Sequence, residues 1–552
     1  MLFLILKRLF LQAIMIRLVQ LIIALLLGGY SVLNHGSSGN RNDNDRLRIA
    51  EEMKASMVNE LLKPWYPQSA DHEYGGFLSA FTYDFKPTGN QDKMIVTQAR
   101  HVWSNSKAAE IFPRIDYYKA DARNGYEFLK NKMWDHNYGG FYTLVDRQGN
   151  VKQSGVAAKD AYGNSFGLYA LAAYYQASGD TGALQLAKQA FGWLEKHSHD
   201  PLNKGYFQHL QRDGTPIKRG PDIATGSDLG YKDQNSSIHL LESLTELYTV
   251  WPDSLVRVRL DEMRILVRDI ITTPKGNLIL FFKPDWTPVS FRDSADAVII
   301  RYKNLDHVSF GHDIETAYLL QEAAHALGYD NETATVKTSK KMLDHALANG
   351  WDNNAGGFYD EGYYFKNKPG ITIIADTKNW WAQAEGLNTL LLMAEQYPND
   401  AHRYFDKFKM QWNYIKTYLI DHEHGDWYQG GIDKEPNQKT ALKGHIWKGT
   451  YHNLRSLMNC IQHLDPDTVA PSVPSDTKLE RKNDALLIKW KASTDNKHVL
   501  GYNIYINKLR AGFTPLTYFS FDKVQQLKTG SIVIEAVDVQ GNASAPNRAV
   551  SF

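Results

Sequence analysis

A turn that combines an aspartate, one or two glycines and an aromatic residue recurs along this chain. Its five copies occupy residues 71–77, 135–141, 200–207, 352–358 and 421–428. Neighbouring copies are about 65 residues apart, which is the length of two helices with their loops. This period indicates repeated helical hairpins, and six of them account for the whole segment. The glycines are interpreted as architectural, because they permit the left-handed backbone of a tight turn.

The segment between residues 47 and 464 has the apolar spacing of helices throughout. Helical hairpins that cannot bury their apolar faces alone stack against one another and close into a ring. We therefore predict a mainly α fold in which residues 46–465 form an (α/α)6 barrel, with its loops gathered at the two ends.

The sequence pattern changes after residue 465, where a linker with three prolines begins. Residues 485–490, 501–506 and 531–537 then alternate apolar and polar side chains in the manner of strands. We predict a small all-β, immunoglobulin-like sandwich over residues 466–552, which resembles a fibronectin type III domain in Trp490 and Tyr502. It is interpreted as a spacer or as a module that binds carbohydrate or a partner.

The amino terminus carries an almost continuously apolar stretch, residues 18–27, which follows Lys7, Arg8 and Arg17. This layout is typical of a secretory signal. If residues 9–16 are included, the stretch approaches the ~20 residues that span a bilayer, so an uncleaved anchor is the alternative. We predict that residues 1–45 are a signal peptide or anchor with a linker, and that the protein is exported, periplasmic or extracellular.

Composition narrows the class of partner. The formal net charge is +1, from 62 basic and 61 acidic residues, so no long-range field gathers nucleic acid. The aromatic content of 12% suits the faces of sugars, which favours a small-molecule sugar partner. Cys460 is the single cysteine, which excludes an intrachain disulfide and a cysteine-based zinc site. We expect a monomer whose only membrane attachment is through the amino-terminal segment.

Clusters of polar and titratable residues lie in the helical segment, at positions where an ordinary amphipathic helix does not require polar or titratable side chains. They contain Arg100, Tyr162, Asn235 with His239, His312 with Glu315, and Trp447 with His452. A further segment holds the adjacent pair Trp380 and Trp381 together with Glu385, and adjacent tryptophans cannot both face one core. Because Glu315 follows His312 by three residues on one helix face, it is expected to orient that imidazole and raise its basicity.

Taken singly, each of these histidines is more often structural than catalytic. Three of them on the inner faces of successive hairpins would converge on the barrel axis, which favours a shared cavity. We expect no metal and no cofactor, because the chain has neither the His-Glu-x-x-His spacing nor a cysteine pair.

In this order the motifs resemble the N-acylglucosamine 2-epimerase superfamily, and within it the cellobiose 2-epimerase group. The resemblance rests on five motifs: Gln98 and Arg100; Asn235, His239 and Glu242; Gly311, His312 and Glu315; Trp380, Trp381, Gln383 and Glu385; and Trp447, Lys448, Tyr451, His452 and Asn453. The resemblance implies an (α/α)6 barrel without a cofactor. It implies that His312 and His452 are the paired acid and base, with His239 in support. It also implies substrate contacts from Arg100, Tyr162, Asn235, Glu315, Trp381, Glu385 and Trp447, with Trp380 as the alternative to Trp381.

The implied reaction is 2-epimerisation of the reducing-end sugar of a β-1,4-linked disaccharide. The ring opens, a neutral imidazole removes the C2 proton, and a cis-enediolate forms that Arg100 and His239 would stabilise. The second imidazole returns a proton to the opposite face of C2, and histidine suits both steps because its ordinary pKa of ~6.5 lies near working pH.

Three alternatives remain open from the sequence. An aldose to ketose isomerase uses the same enediolate and returns the proton to C1. An inverting glycoside hydrolase would use two carboxylates among Asp306, Asp313, Glu315 and Glu385. A noncatalytic glycan-binding protein would use the barrel cleft and the β-domain.

Overall fold

The computed structural model of the chain describes residues 39–152, 157–219, 227–482, 485–522 and 529–552. The apolar stretch of the predicted leader therefore lies outside the described residues. In the described ranges, no helix has both the length and the apolarity that crossing a bilayer requires. The chain divides into two compact units, Met1–Met53 and Lys54–Phe552. The described part of the first unit is helical from Gly39 onward, inside the segment that was predicted as a linker.

The α-helices of the described residues are, in chain order, α1 (Gly39–Ser56), α2 (Ile95–Ile111), α3 (Asp116–Phe128), α4 (Ala161–Ser178), α5 (Thr181–His197), α6 (Gln234–Val250), α7 (Ser254–Leu266), α8 (Asp296–Tyr302), α9 (Phe310–Ala326), α10 (Thr333–Asn349), α11 (Trp380–Gln396), α12 (Tyr404–Tyr414) and α13 (Tyr451–Leu464). Helix α1 continues through Met57–Leu62 and Lys63–Trp65. Turns of π-helix follow α3, α7 and α12 at Leu129–Met133, Val267–Ile271 and Ile415–Leu419, and short 3-10 turns lie at Lys303–Leu305 and Pro436–Thr440.

Helices α2, α4, α6, α9, α11 and α13 form an inner ring. Each packs on the next, and α13 closes the ring against α2. Their carboxyl-terminal halves line one common cavity, so these helices run in the same direction. The outer helices α3, α5, α7, α10 and α12 pack on α2, α4, α6, α9 and α11, and Met57–Leu62 packs on α13. This arrangement is the predicted (α/α)6 barrel, and it places the amino ends of the inner helices together.

Buried ion pairs tie the glycine turns to the segments that lead into the inner helices. The Nζ to Oδ distances are 2.9 Å for Lys93 and Asp71, 3.0 Å for Lys159 and Asp135, 2.9 Å for Lys232 and Asp200, 2.8 Å for Lys378 and Asp352, and 2.7 Å for Lys443 and Asp421. The turn glycines, such as Gly75 and Gly76, have positive φ. The architectural interpretation of the turns is confirmed, and their aspartates also have a structural role.

The Lys378 to Asp352 pair gives a test of this role. Replacing Lys378 by methionine leaves the Asp352 carboxylate buried without its counter-charge, and we expect a loss of about 3–5 kcal/mol in the free energy of unfolding. Urea unfolding of the full chain measures the loss. Lys366→Met is the matched control, because the Lys366 side chain is exposed and is expected to contribute less than about 1 kcal/mol. Equal stability of the two variants would contradict the proposed role.

Short antiparallel pairings lie at the loops around the amino ends of the inner helices. The strands are β1 (Lys93–Met94), β2 (Leu144–Val145), β3 (Lys159–Asp160), β4 (His209–Leu210), β5 (Lys232–Asp233), β6 (Phe281–Phe282), β7 (Val308–Ser309), β8 (Glu361–Tyr363) and β9 (Thr372–Ala375). Strands β1, β3, β5 and β7 run directly into α2, α4, α6 and α9. Asp160 and Asp233 then cap α4 and α6 by accepting backbone N–H groups of the first turn.

The carboxyl-terminal segment forms two sheets. Its strands are β10 (Ser475–Lys482), β11 (Ala485–Lys491), β12 (Val499–Ile506), β13 (Leu509–Thr514), β14 (Tyr518–Phe521), β15 (Ser531–Asp538) and β16 (Val550–Ser551). One sheet has the order β10-β11-β14 and the other β13-β12-β15-β16, with antiparallel neighbours. Trp490, Ile504 and Ile534 lie in the core of this domain. The predicted all-β domain is confirmed.

The β-domain is docked on the carboxyl ends of the inner helices. The Tyr175 hydroxyl of α4 donates to the Phe513 carbonyl at 2.8 Å. Arg510 of β13 donates to the carbonyl of Thr249, the next-to-last residue of α6. Gln462 of α13 donates to the Val539 carbonyl at 3.1 Å. The sandwich therefore covers the end of the barrel opposite to the amino ends of the inner helices.

Candidate active site

Each inner helix brings one predicted residue to the amino end of the ring. These residues are Arg100 on α2, Tyr162 on α4, His239 on α6, His312 on α9, Trp381 on α11 and His452 on α13. A regular helical barrel would bury apolar side chains at these positions. The convergence that the sequence predicted is therefore present in the structure.

His312 and His452 lie beside the same indole. The ring centroids of His312 and Trp381 are 4.7 Å apart, and those of His452 and Trp381 are 5.8 Å apart. His312 on α9 and His452 on α13 are distant in the sequence, yet both rings lie beside Trp381. Two imidazoles beside one indole can serve the same ligand as proton acceptor and proton donor.

His452 is backed by a carboxylate. Its Nδ1 lies 2.7 Å from Oε1 of Glu385, which also accepts a hydrogen bond from Arg455 at 2.6 Å. The other Glu385 oxygen accepts a hydrogen bond from Asn388 at 3.2 Å. Because Arg455 and Asn388 occupy both oxygens as donors, Nδ1 of His452 is assigned as the N–H donor and Nε2 carries the lone pair. Burial and then Arg100 hold the pKa of His452 well below its ordinary value.

His312 is backed by a hydroxyl and not by a carboxylate. Its Nδ1 lies 2.9 Å from Oγ of Ser309, and burial lowers its pKa to about 3. The expectation that Glu315 orients His312 is wrong. Glu315 instead accepts from Arg455 at 2.6 Å and lies 3.8 Å from Nδ1 of His452, because its side chain points toward the ring axis, where Arg455 stands.

Arg455 is the residue that the sequence reasoning missed. Its guanidinium bonds Glu315 and Glu385 at 2.6 Å each, and it also donates to Glu242 and to the Tyr451 hydroxyl. Burial opposes ionisation of Glu242, but Arg455 and His239 outweigh it and lower the pKa of Glu242 to about 2. The signal was available, since an arginine three residues after His452, on the part of an inner helix that faces the barrel interior, needs buried acidic partners.

His239 lies in an aromatic and cationic pocket. Its Nδ1 is 2.8 Å from Oε2 of Glu242, and its ring is 5.3 Å from that of Tyr162 and 4.8 Å from that of Phe166. Arg100 donates to the Tyr162 hydroxyl at 3.3 Å and lies over the Phe166 ring at 4.4 Å. The Arg100 Nε has no hydrogen-bond partner among the described residues. This pocket can therefore supply positive charge and donors to oxygens of a ligand.

The two adjacent tryptophans face different surroundings. Trp381 lies beside His312 and His452, whereas Trp380 is only 6% exposed. The ring centroid of Trp380 is 6.3 Å from that of His445 and 5.6 Å from Nζ of Lys448. Trp381 and not Trp380 is therefore the tryptophan beside the predicted catalytic histidines. Trp447, 52% exposed, stands in the loop before α13.

One buried donor set has the spacing of a metal site. Oxygens of Glu315 and Glu385 and a nitrogen of His452 lie within 4.8 Å of one another. The Arg455 guanidinium donates to both carboxylates, so it supplies the positive charge that these oxygens need. The donor set is therefore better suited to a guanidinium than to a divalent ion.

The four carboxylates of the hydrolase alternative have structural partners. Asp306 accepts from the Phe291 backbone at 2.7 Å and from the Tyr363 hydroxyl at 3.0 Å. Asp313 accepts from the Leu278 backbone at 2.8 Å. Oxygens of Glu315 and Glu385 approach within 4.8 Å, whereas an inverting pair stands ~6.5–9.5 Å apart.

A family model and individual relatives with known names match this chain and agree on one family. A model described as N-acylglucosamine 2-epimerase (GlcNAc 2-epimerase) matches residues 75–456, more than half of the chain. The chain is 30% identical over 421 residues to a cellobiose 2-epimerase of Ruminococcus albus, covering 75% of this chain and 98% of that protein. It is 29% identical over 428 residues to a cellobiose 2-epimerase of Bacteroides fragilis, with 75% and 98% covered.

Solved structures agree with the barrel. The cellobiose 2-epimerase of Spirochaeta thermophila matches with a TM-score of 0.64 and 27% identity, covering 76% of this chain and 98% of that chain. The cellobiose 2-epimerase of Bacillus thermoamylovorans matches with a TM-score of 0.64 and 25% identity, covering 75% and 99%.

Proposed function

We propose, since the chain belongs to the N-acylglucosamine 2-epimerase family, that it inverts C2 of the reducing-end sugar of a β-1,4-linked disaccharide of the cellobiose or mannobiose type. The relatives whose whole length the chain covers are named cellobiose 2-epimerases, which supports a disaccharide substrate. The observation that carries the proposal is the placement of His312 and His452 beside the indole of Trp381.

The proposed reaction starts from the open-chain sugar, because the C2 proton is acidic only next to a carbonyl. Nε2 of His452, whose Nδ1 donates to Glu385, removes the proton from one face of C2. His312, which carries a proton at this stage, returns it to the opposite face, so the epimer forms with His452 protonated and His312 neutral. In the reverse direction the two imidazoles exchange roles, as microscopic reversibility requires.

Charge develops on the O1 and O2 oxygens of the cis-enediolate. The guanidinium of Arg100 and the imidazole of His239 are the proposed partners for it, since donors that are already oriented cost no reorganisation in the transition state. Trp381 is proposed to hold the reacting sugar against the histidines. Trp447, on the exposed loop, is proposed to stack on the non-reducing sugar.

Product analysis tests the function. The full chain is incubated with cellobiose and with β-1,4-mannobiose, and the products are separated by chromatography. We expect the C2 epimer of each disaccharide. A ketose product would instead identify an aldose to ketose isomerase, free monosaccharides would identify a hydrolase, and binding without turnover would identify a glycan-binding protein.

The pH dependence follows from the buried histidines. Burial lowers the pKa of His312 to about 3 and lowers that of His452, so the imidazole that acts as the base stays neutral as pH falls through its ordinary pKa of ~6.5. We therefore expect kcat/KM not to fall as pH is lowered through ~6.5 and to decline only below about pH 5. A pH profile on protein that is shown to be folded at each pH measures this limb. A midpoint near 6.5 would contradict the depressed pKa values.

We also propose that the protein is exported. The support is the sequence of residues 1–45, with its basic residues and apolar stretch. Cell fractionation tests this proposal, and recovery of all activity from the cytoplasm would contradict it.

The β-domain is proposed to be a fibronectin type III module. Its three-stranded and four-stranded antiparallel sheets support that assignment. A solved structure of the domain whose strand order differs from these two sheets would contradict it.

A further inference from the structure

A large cavity lies between the barrel and the β-domain, at the carboxyl ends of the inner helices. Its volume is about 960 Å³, which is within the range of small-molecule sites. The barrel side includes Trp103, Tyr169, Gln176, Tyr318 and Glu322, and the sandwich side includes Leu500, Asn503, Tyr505 and Phe513. The cavity needs both domains, because its walls come from both.

The cavity is separate from the candidate active site. Glu242 and Arg455 line it, and the same two residues hold His239 and the carboxylate behind His452. These ion pairs form a layer between the amino-terminal site and the cavity. Apart from Glu242 and Arg455, a ligand in the cavity therefore meets side chains that the proposed epimerase chemistry does not use.

At least four enclosed polar atoms of the residues that line the cavity lack hydrogen-bond partners among the described residues. The indole Nε1 of Trp103 is a donor on a residue that is 3% exposed, and Oε1 of Glu110 is an acceptor on a residue that is 9% exposed. Neither atom has a hydrogen-bond partner among the described residues, and the same holds for Nε2 of Gln321 and Oε1 of Gln396. A buried donor or acceptor without a partner is costly, so a shift of these side chains toward a polar ligand in the cavity would relieve an existing penalty.

Two of the cationic side chains on the wall already have partners in the protein. Lys107 lies 2.8 Å from Glu246 and 3.6 Å from Glu110. Arg510 donates to Asn503 at 2.7 Å and to the carbonyl of Thr249. A charged ligand would have to break these pairs, whereas a neutral ligand with many hydroxyls would not.

The aromatic lining favours the same chemistry. Tyr318 and Tyr505 line the cavity, beside the buried pair Trp103 and Tyr169, whose rings stack on each other with their centroids 5.6 Å apart. Flat aromatic faces bind the apolar faces of sugar rings, while amides and carboxylates bind the hydroxyl groups. We propose that this cavity is a second carbohydrate-binding site, which binds a neutral oligosaccharide. The site is formed because the β-domain covers the carboxyl ends of the inner helices.

The proposal is tested by measuring how many trisaccharide molecules bind to one full chain and where they bind. Cellotriose and β-1,4-mannotriose are titrated by calorimetry, and crystals of the same protein are soaked with the trisaccharides to locate them. Leu500→Trp fills the cavity from the sandwich side. Leu509→Trp is the matched control, because Leu509 is 74% exposed and lies outside the cavity lining. Glu322→Gln is a second variant that keeps the shape and removes one charge-assisted acceptor.

We expect two sugars per chain in the wild type and in the control variant Leu509→Trp. One lies in the cavity and the other at the amino-terminal site. Leu500→Trp should lose the cavity sugar alone, and Glu322→Gln should weaken cavity binding about tenfold. A wild-type cavity that stays empty of trisaccharide, or a cavity sugar that persists in Leu500→Trp, overturns the proposal. The outcome is read from cavity occupancy, so it is independent of whether the epimer is formed.

Discussion

Replacing His312 or His452 by asparagine is expected to slow epimerisation by at least about a thousandfold, because each variant lacks one of the two proton-transfer groups. The two variants are not expected to be inert in the same way. In His312→Asn, His452 still reaches one face of C2, and in His452→Asn, His312 still reaches the other. Each variant should therefore exchange the C2 proton of only one of the two epimers with deuterated water, without forming the other epimer.

Proton NMR of each purified epimer in deuterated water measures this exchange. His402→Asn is the control, since His402 pairs with Asp400 at 2.8 Å and is remote in the chain from the predicted motifs. It should retain wild-type activity. If both histidine variants exchange the same epimer, the two imidazoles do not serve opposite faces of C2.

Replacing Arg455 by methionine is expected to cost both stability and activity. Glu242, Glu315 and Glu385 would remain buried without the guanidinium that bonds all three. Removing one partner of a buried ion pair typically costs about 3–5 kcal/mol, and here three carboxylates share the partner. Activity should fall at least about a hundredfold, because the carboxylates behind His239 and His452 would take up protons and no longer orient the imidazoles.

Urea unfolding at two pH values checks the stability loss. Arg455 favours the ionised form of Glu242, whose pKa is lowered to about 2, so its removal raises that pKa. Protonation of the carboxylates then relieves part of the penalty, and the loss should be smaller at pH 5 than at pH 8. Arg403→Met is the control, because the Arg403 to Asp406 pair is exposed. A loss below about 1 kcal/mol for Arg455→Met would contradict the central role of this cation.

The fold was largely predictable from the sequence because the repeat is marked by glycines that the backbone of each turn requires. The glycines of each turn adopt positive φ, so their spacing follows the hairpins directly. The buried lysines were missed, since the interval from aspartate to lysine varies, as between Asp71 and Lys93 and between Asp200 and Lys232. The alternation of strands predicted the β-domain, but nothing in it indicated that the domain would dock on the barrel.

The site was predictable as a set of residues and not as a set of pairs. Inner-helix positions of His239, His312 and His452 followed from the repeat. The partners of His452 and Arg455 did not, because they come from other helices: Glu385 is 67 positions from His452, and Arg455 is 213 positions from Glu242. Sequence neighbours such as His312 and Glu315 are a poor guide where the ring axis offers a stronger partner.

The central claim is that His312 and His452 address opposite faces of one carbon. A crystal structure of the full chain with cellobiitol, the open-chain alcohol obtained by reducing cellobiose, tests it most directly, because this compound has no carbonyl and cannot react. The account predicts that Nε2 of each histidine lies within about 3.5 Å of C2, one on each side. A complex in which C2 is in contact with only one imidazole, or with neither, would contradict it.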